Sequence, residues 1–216
     1  MVRKEDLEFG ERRKLLDEIE LLLALDHPNI GRVVEMYEDP KKIYFVNEMC
    51  LGGTLYERVA AEQSFSEVKA AKIIRQLLSA VAYLHGQKIV HGDIKPQNLH
   101  FSTLNDDMIK LIDFGTSRRI NDQHAMHGVF GQSYYNAPEV IEGVYSEKCD
   151  VWSIGVIMYI LLSGEPPFNA PTDQQVIEQI KVGDYSMEGE QWEHVSEEAK
   201  NLLSQLLTRE AGRLSA

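Results

Sequence analysis

Two cysteines, Cys50 and Cys149, occur in 216 residues. They stand far apart and form no CxxC pair, which excludes a disulfide framework and a cysteine-held zinc site. Both read as buried thiols of a reducing compartment, and the location expected is cytoplasmic. Long apolar runs are also missing. The longest, Val151 to Leu162, is too short to span a bilayer and reads as a helix buried on all sides. Met1 to Glu11 is charged and carries no apolar signal region. Val2 stands where myristoylation needs a glycine. Basic excess is absent: 22 Lys and Arg face 34 Asp and Glu, a net charge of −12. Nucleic acid and anionic membrane are therefore excluded as main partners. No Asp-rich calcium loop, repeat, linker or low-complexity stretch interrupts the chain.

What is present is ordinary globular patterning, with 44% hydrophobic and 26% charged residues. Gly10 to Leu25 carries apolar residues at 15, 16, 19, 22, 23 and 25, a helical spacing that Asp26-His27-Pro28-Asn29 ends. Gly31 to Tyr37 and Ile43 to Val46 read as strands joined by a turn at Glu38-Asp39-Pro40-Lys41. Ser66 caps a helix running to His85, with positions 70, 73, 74, 77, 78, 81 and 84 on one face. Phe101 to Lys110 reads as a polar turn between two short strands. Helices follow over Ser146 to Ser163, Thr172 to Lys181 and Ser196 to Leu207.

The stretch that organises the chain is His91-Gly92-Asp93-Ile94-Lys95-Pro96-Gln97-Asn98. It fits the catalytic loop of protein kinases and, less closely, the His-x-Asp-x-x-x-x-Asn loop of small-molecule phosphotransferases. In both, an Asp takes the proton of an attacking hydroxyl and an Asn holds magnesium. Lys95 favours the protein-kinase form. Asp113-Phe114-Gly115 follows the apolar strand Ile109-Lys110-Leu111-Ile112, and Ala137-Pro138-Glu139 comes later in the family order. Each tripeptide alone is weak; the three together are specific.

The chain thus resembles the Ser/Thr protein kinases. Glu147 to Ser153 and Tyr159 to Gly164 are similar to the calmodulin-dependent group, above all the calcium-dependent protein kinases of plants and protozoa. The resemblance implies an α+β, protein kinase-like fold. Residues 1–50 would be a remnant of the small lobe, and 51–216 a mostly helical large lobe cut short at its end. It implies transfer of the ATP γ-phosphate to a Ser or Thr hydroxyl of a protein, with ATP and Mg2+ as cofactors. Asp93 would take the proton, Lys95 would stabilise the phosphoryl group, and Asn98 and Asp113 would hold magnesium. Glu18 would orient the ATP-anchoring Lys, Glu48 and Cys50 would belong to the adenine hinge, and His100 would floor the adenine pocket. Arg213 would pair with Glu139, His91 would pack under Phe114, and Tyr134 and Tyr135 would pack in the peptide shelf. The resemblance leaves room for a calcium-binding regulatory domain outside this chain.

Departures from the family pattern are also in the text. No GxGxxG loop precedes Glu18, and the Lys it would pair with falls at Met1 or upstream, so the small lobe is expected to be truncated. Asn47 stands at the gatekeeper position and Thr54 where the family usually has an acid. Gly92 replaces an Arg, Gln132 a Thr, and His100 an apolar residue. These support an alternative, a pseudokinase acting as a binding or scaffold module; Asp93, Asn98 and Asp113 oppose it.

Overall fold

The computed structural model describes residues 2–3, 22–104, 107–120, 126–127 and 133–216, with the side chains at 2, 3, 126, 127 and 133 excepted. The first sheet is antiparallel, in the order β1 (Val2–Arg3), β3 (Lys42–Asn47), β2 (Val33–Glu38). Its hairpin closes at Asp39, whose Oδ1 accepts from the backbone N–H groups of Lys41 and Lys42, each at 2.7 Å. Asp side chains favour turns for this reason. β2 and β3 are thinly covered: Val33 and Ile43 are their buried side chains. The helix expected over Gly10 to Leu25 lies mostly outside the described residues; its helical end is seen at 22–24.

The rest is a helical body with short strand pairs. α1 (Leu55–Glu62) and α2 (Glu67–Gly86) come first. Thr54 and Ser66 cap them, since a side-chain oxygen there meets an N–H group that the helix leaves unpaired. Then follow β4 (Ile89–Val90), β5 (Leu99–Phe101), β6 (Ile109–Leu111), β7 (Arg118–Arg119) and β8 (Met126–His127). After α3 (Pro138–Glu142) and β9 (Val144–Tyr145) come α4 (Lys148–Ser163), α5 (Asp173–Val182) and α6 (Glu197–Leu206). The pairs are β4 with β7, β5 with β6 and β8 with β9, all antiparallel.

α4 is the helix the sequence predicted as buried all round. From Cys149 to Leu162 only Ile160 is less than fully buried. It packs on α2 and α6. The contact with α6 depends on Gly155, because a Cβ there would lie 2.9 Å from Leu206 and Leu207 side-chain atoms. The predicted face of α2 is buried at 70, 73, 74, 77, 81 and 84, with Ala80 joining it and Leu78 only partly covered. Among the described residues no helix is long and apolar enough to cross a membrane.

One expectation needs correction. Cys149 is a buried thiol that burial pushes well above its ordinary pKa, but Cys50 is only half-buried. It sits on the rim where the first sheet meets the body, so the second thiol keeps some contact with solvent.

Candidate active site

The cleft floor begins with a buried carboxylate. Asp150, in the first turn of α4, is 1% exposed. Its Oδ2 accepts from the His91 backbone N–H at 2.9 Å and its Oδ1 from the Gly92 N–H at 2.9 Å. His85 Nε2, near the end of α2, lies 3.0 Å from Oδ2. An unpaired charge this deep would be very costly, so these partners are what let the carboxylate remain there. In return it fixes the backbone at the start of the loop from His91 to Asn98. Gly92 has φ 79°, a left-handed conformation that costs a side-chain-bearing residue about 1–2 kcal/mol and glycine little.

His91 is fully buried, edge-on to Phe114 with ring centres 4.9 Å apart. Its Nδ1 accepts from the Asp93 N–H at 3.3 Å, and its Nε2 faces the Ile112 carbonyl at 3.2 Å. A carbonyl only accepts, so the proton sits on Nε2 and the ring is neutral. Burial pushes its pKa down, against the opposing pull of Asp150. His91 is therefore a packing and positioning residue, as its sequence context suggested.

The loop then delivers its polar groups. Lys95 Nζ lies 2.6 Å from Asp93 Oδ2. Asn98 Nδ2 donates to the Asp93 carbonyl at 2.8 Å and to Oδ2 at 3.1 Å. Both side-chain donors meet Oδ2 rather than Oδ1. The Ile112 N–H donates to the Asn98 carbonyl at 3.0 Å, so the Asp113 turn is tied to the same loop. Asp113 is exposed and has φ 63°, a left-handed conformation that Asp tolerates better than most residues. Its Oδ1 accepts from the Gly115 N–H at 3.3 Å. With the Asn98 amide nitrogen committed to Asp93, its oxygen and the Asp113 carboxylate form a hard-oxygen donor set. That chemistry fits magnesium, which takes one or two protein oxygens and fills its remaining positions with water and phosphate.

The segment from Glu48 to Gly52 is held from both sides. Glu48 donates its N–H to the Arg32 carbonyl at 2.8 Å, and Leu51 and Gly52 donate to Ser102 and Phe101 at 3.0 Å each. Cys50 lies between those anchors. The Glu48 carboxylate pairs with Lys110 Nζ at 2.8 Å, a contact sequence reasoning missed. His100 alternates with the buried Leu99 and Phe101, so its half-buried side chain faces the opposite side of β5. Thr54 also has a role the sequence reading overlooked. It forms a capping box with Glu57, closing α1 beside His100.

Below the loop, Arg213 meets Glu139 through both guanidinium nitrogens, the second at 3.1 Å, as expected. Its Nε reaches the Thr208 carbonyl at 3.0 Å, and its guanidinium carbon lies 4.9 Å from the centre of the Trp152 ring. Tyr135 is partly buried, and its desolvation pushes its pKa up to about 12. Tyr134 departs from the packing role expected: it is 42% exposed and donates to Asp173 Oδ1 at 2.6 Å. Trp152 is core and Glu165 is an exposed loop charge. Glu18 and Gln132 lie outside the described residues. The structure thus brings Asp93, Lys95, Asn98 and Asp113 onto two tied loops.

The sequence matches the family described as protein kinase domain over residues 1–216. The chain belongs to that family. Calcium-dependent protein kinase 5 of Plasmodium berghei (strain Anka) is 41% identical over 195 residues, covering 90% of this chain and 35% of the relative. Calcium-dependent protein kinase 4 of Plasmodium falciparum (isolate 3D7) is 41% identical over 209 residues, covering 95% and 40%. This kinase chain therefore spans between a third and two fifths of the length of those relatives.

Proposed function

We propose that this chain is the catalytic core of a Ser/Thr protein kinase that transfers the γ-phosphoryl group of ATP to a protein hydroxyl. The observation that carries the proposal is the Asp93 carboxylate, held by Lys95 and Asn98 on a loop whose backbone Asp150 fixes. Phosphoryl transfer depends mostly on positioning and charge, and this arrangement supplies both. Asp93 orients the substrate hydroxyl and accepts its proton at Oδ1. Lys95 presents a cation beside the transferred group. Asn98 and Asp113 would hold magnesium, which supplies compensating positive charge beside the phosphates. Glu48 and Cys50 would meet adenine through backbone groups and His100 would line its pocket. Glu18 would orient an anchoring Lys. Residues 1–50 belong to the small lobe in this reading, and 51–216 to the large one. The names of the relatives support a calcium-binding regulatory domain elsewhere in the full protein, and a cytoplasmic setting suits the free thiols.

The test is Asp93→Asn in the full-length protein, with phosphate transfer to Ser/Thr peptides as the readout. Transfer should fall about 10²–10⁴-fold, with the unfolding midpoint unchanged. Absence of transfer and of autophosphorylation in the unmodified protein would leave the binding-module alternative instead.

A further inference from the structure

Lys110 is a cation held in the interior. It is the middle residue of β6, is 8% exposed, and stands opposite His100 of β5 in the ladder. Its Nζ lies 2.8 Å from Glu48 Oε1. Lysine is almost never buried without a partner, so this pair accounts for the cation's place. Glu48 is tied in turn to the first sheet. Its Oε2 accepts from the Arg32 N–H at 3.3 Å, and its own N–H donates to the Arg32 carbonyl at 2.8 Å. One oxygen of this carboxylate therefore meets β6, and the other meets the residue before β2.

What stands at the end of the β5–β6 ladder gives the pair its meaning. Asn98 directly precedes β5, and Asp113 follows β6 after Ile112. The Ile112 N–H donates to the Asn98 carbonyl at 3.0 Å and closes that end. Both proposed magnesium ligands are thus carried by one short ladder. Leu51 and Gly52 reach the same ladder through backbone bonds to Ser102 and Phe101. Glu48, at the start of the proposed adenine segment, reaches it through its side chain. A nucleotide gains from contacts at both its ends only where the two sites already stand at the right separation. We infer that the Glu48–Lys110 pair sets the separation between the base site and the magnesium ligands. Both side chains are positioning groups for ATP·Mg, acting through the backbone of the adenine segment and through β6 without touching the nucleotide. The inference rests on the proposed reading of the cleft as an ATP site.

Calorimetry of the full-length protein with ATP·Mg and with adenosine separates positioning from simple support of the fold, because adenosine lacks the phosphate end. Lys110→Met removes the cation, and Glu48→Gln removes the carboxylate charge while keeping its shape. Each should weaken ATP·Mg about tenfold. Each should lower kcat on a Ser/Thr peptide by roughly ten- to a hundredfold, with adenosine affinity and peptide KM within about twofold of the parent. Lys110→Arg keeps the charge and should recover most of the ATP·Mg affinity. The double variant, Glu48→Gln with Lys110→Met, leaves no lone charge and should fold even where a single variant does not. Its loss of ATP·Mg affinity should match that of one single variant rather than the sum of two. Equal weakening of adenosine and ATP·Mg would confine the pair to the fold. Parent-like ATP·Mg binding in the double variant would show that the ladder is placed without it. Either result overturns the inference. If the parent binds ATP·Mg but transfers no phosphate, the phosphotransfer reading falls, and the binding comparison still decides the inference. A parent that binds no ATP·Mg would overturn both.

Discussion

Between His91 and Asn98 the chain is held by Asp150 of α4, itself bonded to His85 of α2, and by the strand end before Asp113, and His91 and Asp150 are at most 1% exposed. The hairpin of β2 and β3 is built differently. Val34 and Tyr37 are more than half exposed, and Val46 is 42% exposed. The hairpin joins the body through few backbone bonds, among them Gly31 N–H to the Leu111 carbonyl and Leu111 N–H to the Asn29 carbonyl, each at 2.8 Å. The difference suits the proposed phosphotransfer. A group that takes a proton must be placed to within a fraction of an ångström, which requires a rigid, desolvated mount. A surface that admits and releases a nucleotide is drawn from the less stable part of a structure.

That contrast can be broken most severely at Asp150. Asp150→Ala removes the acceptor for two backbone N–H groups and for His85, all buried or nearly so. The expected loss is about 3–5 kcal/mol of stability, read as a lower urea midpoint with the slope retained. Val34→Thr on the hairpin is the counterpart, and it should stay within about 0.5 kcal/mol of the parent. Comparable losses at the two positions would show that the floor is no more tightly built than the sheet.

His91 sharpens the same comparison through pH. In the folded chain burial lowers its pKa from the ordinary 6.5. The unfolded chain therefore takes up the proton first as the pH falls. This stabilisation is fully present above about 6.5 and is lost below it, at up to about 1.4 kcal/mol per pH unit for one proton. Protonation at Nδ1 would also break the bond from the Asp93 N–H, so loss of activity should accompany loss of stability. His27 shifts in the same direction, through burial first and then Lys110, but it is partly exposed and contributes less. In urea titrations across mildly acidic pH, His91→Phe should flatten the slope; an unchanged slope would assign the effect to another group.

What was legible in the sequence was whatever depends on local spacing. The catalytic loop, the Asp113 turn and the buried run of α4 are contiguous text, and the Glu139–Arg213 pair comes with the family resemblance. Asp150 falls in the helix expected over Ser146 to Ser163, but its partner at His91 is 59 residues away, and tertiary packing brings the two together. The Lys110–Glu48 pair likewise joins residues far apart in the sequence. Tyr134 was misjudged because its partner, Asp173, lies on another helix. Thr54 is a different case. Its signal, Thr followed three residues later by Glu, is local and was present in the text.

Thr54 is also where a structural and a recognition role can be separated. Thr54 Oγ1 accepts from the Glu57 N–H at 3.1 Å, and Glu57 Oε2 accepts from the Thr54 N–H at 2.8 Å. That backbone bond, with the side-chain bond behind it, holds the exposed Glu57 carboxyl below its usual pKa. Thr54→Ala removes the cap and should lower stability by about 1 kcal/mol. It should leave the relative preference for basic over neutral peptides unchanged, because the alanine adds no charge to the cleft. Thr54→Asp is the informative partner. Aspartate caps as well as threonine, so stability should stay within about 0.5 kcal/mol of the parent after the repulsion from Glu57 is counted. The same substitution restores the family's acid at the edge of the cleft and should raise kcat/KM for arginine-containing peptides relative to neutral ones. If Thr54→Ala shifts peptide preference as strongly as Thr54→Asp does, Thr54 acts in recognition through its hydroxyl rather than as a cap alone. If Thr54→Asp leaves preference unchanged, the edge of the cleft at α1 lies outside the path of the substrate.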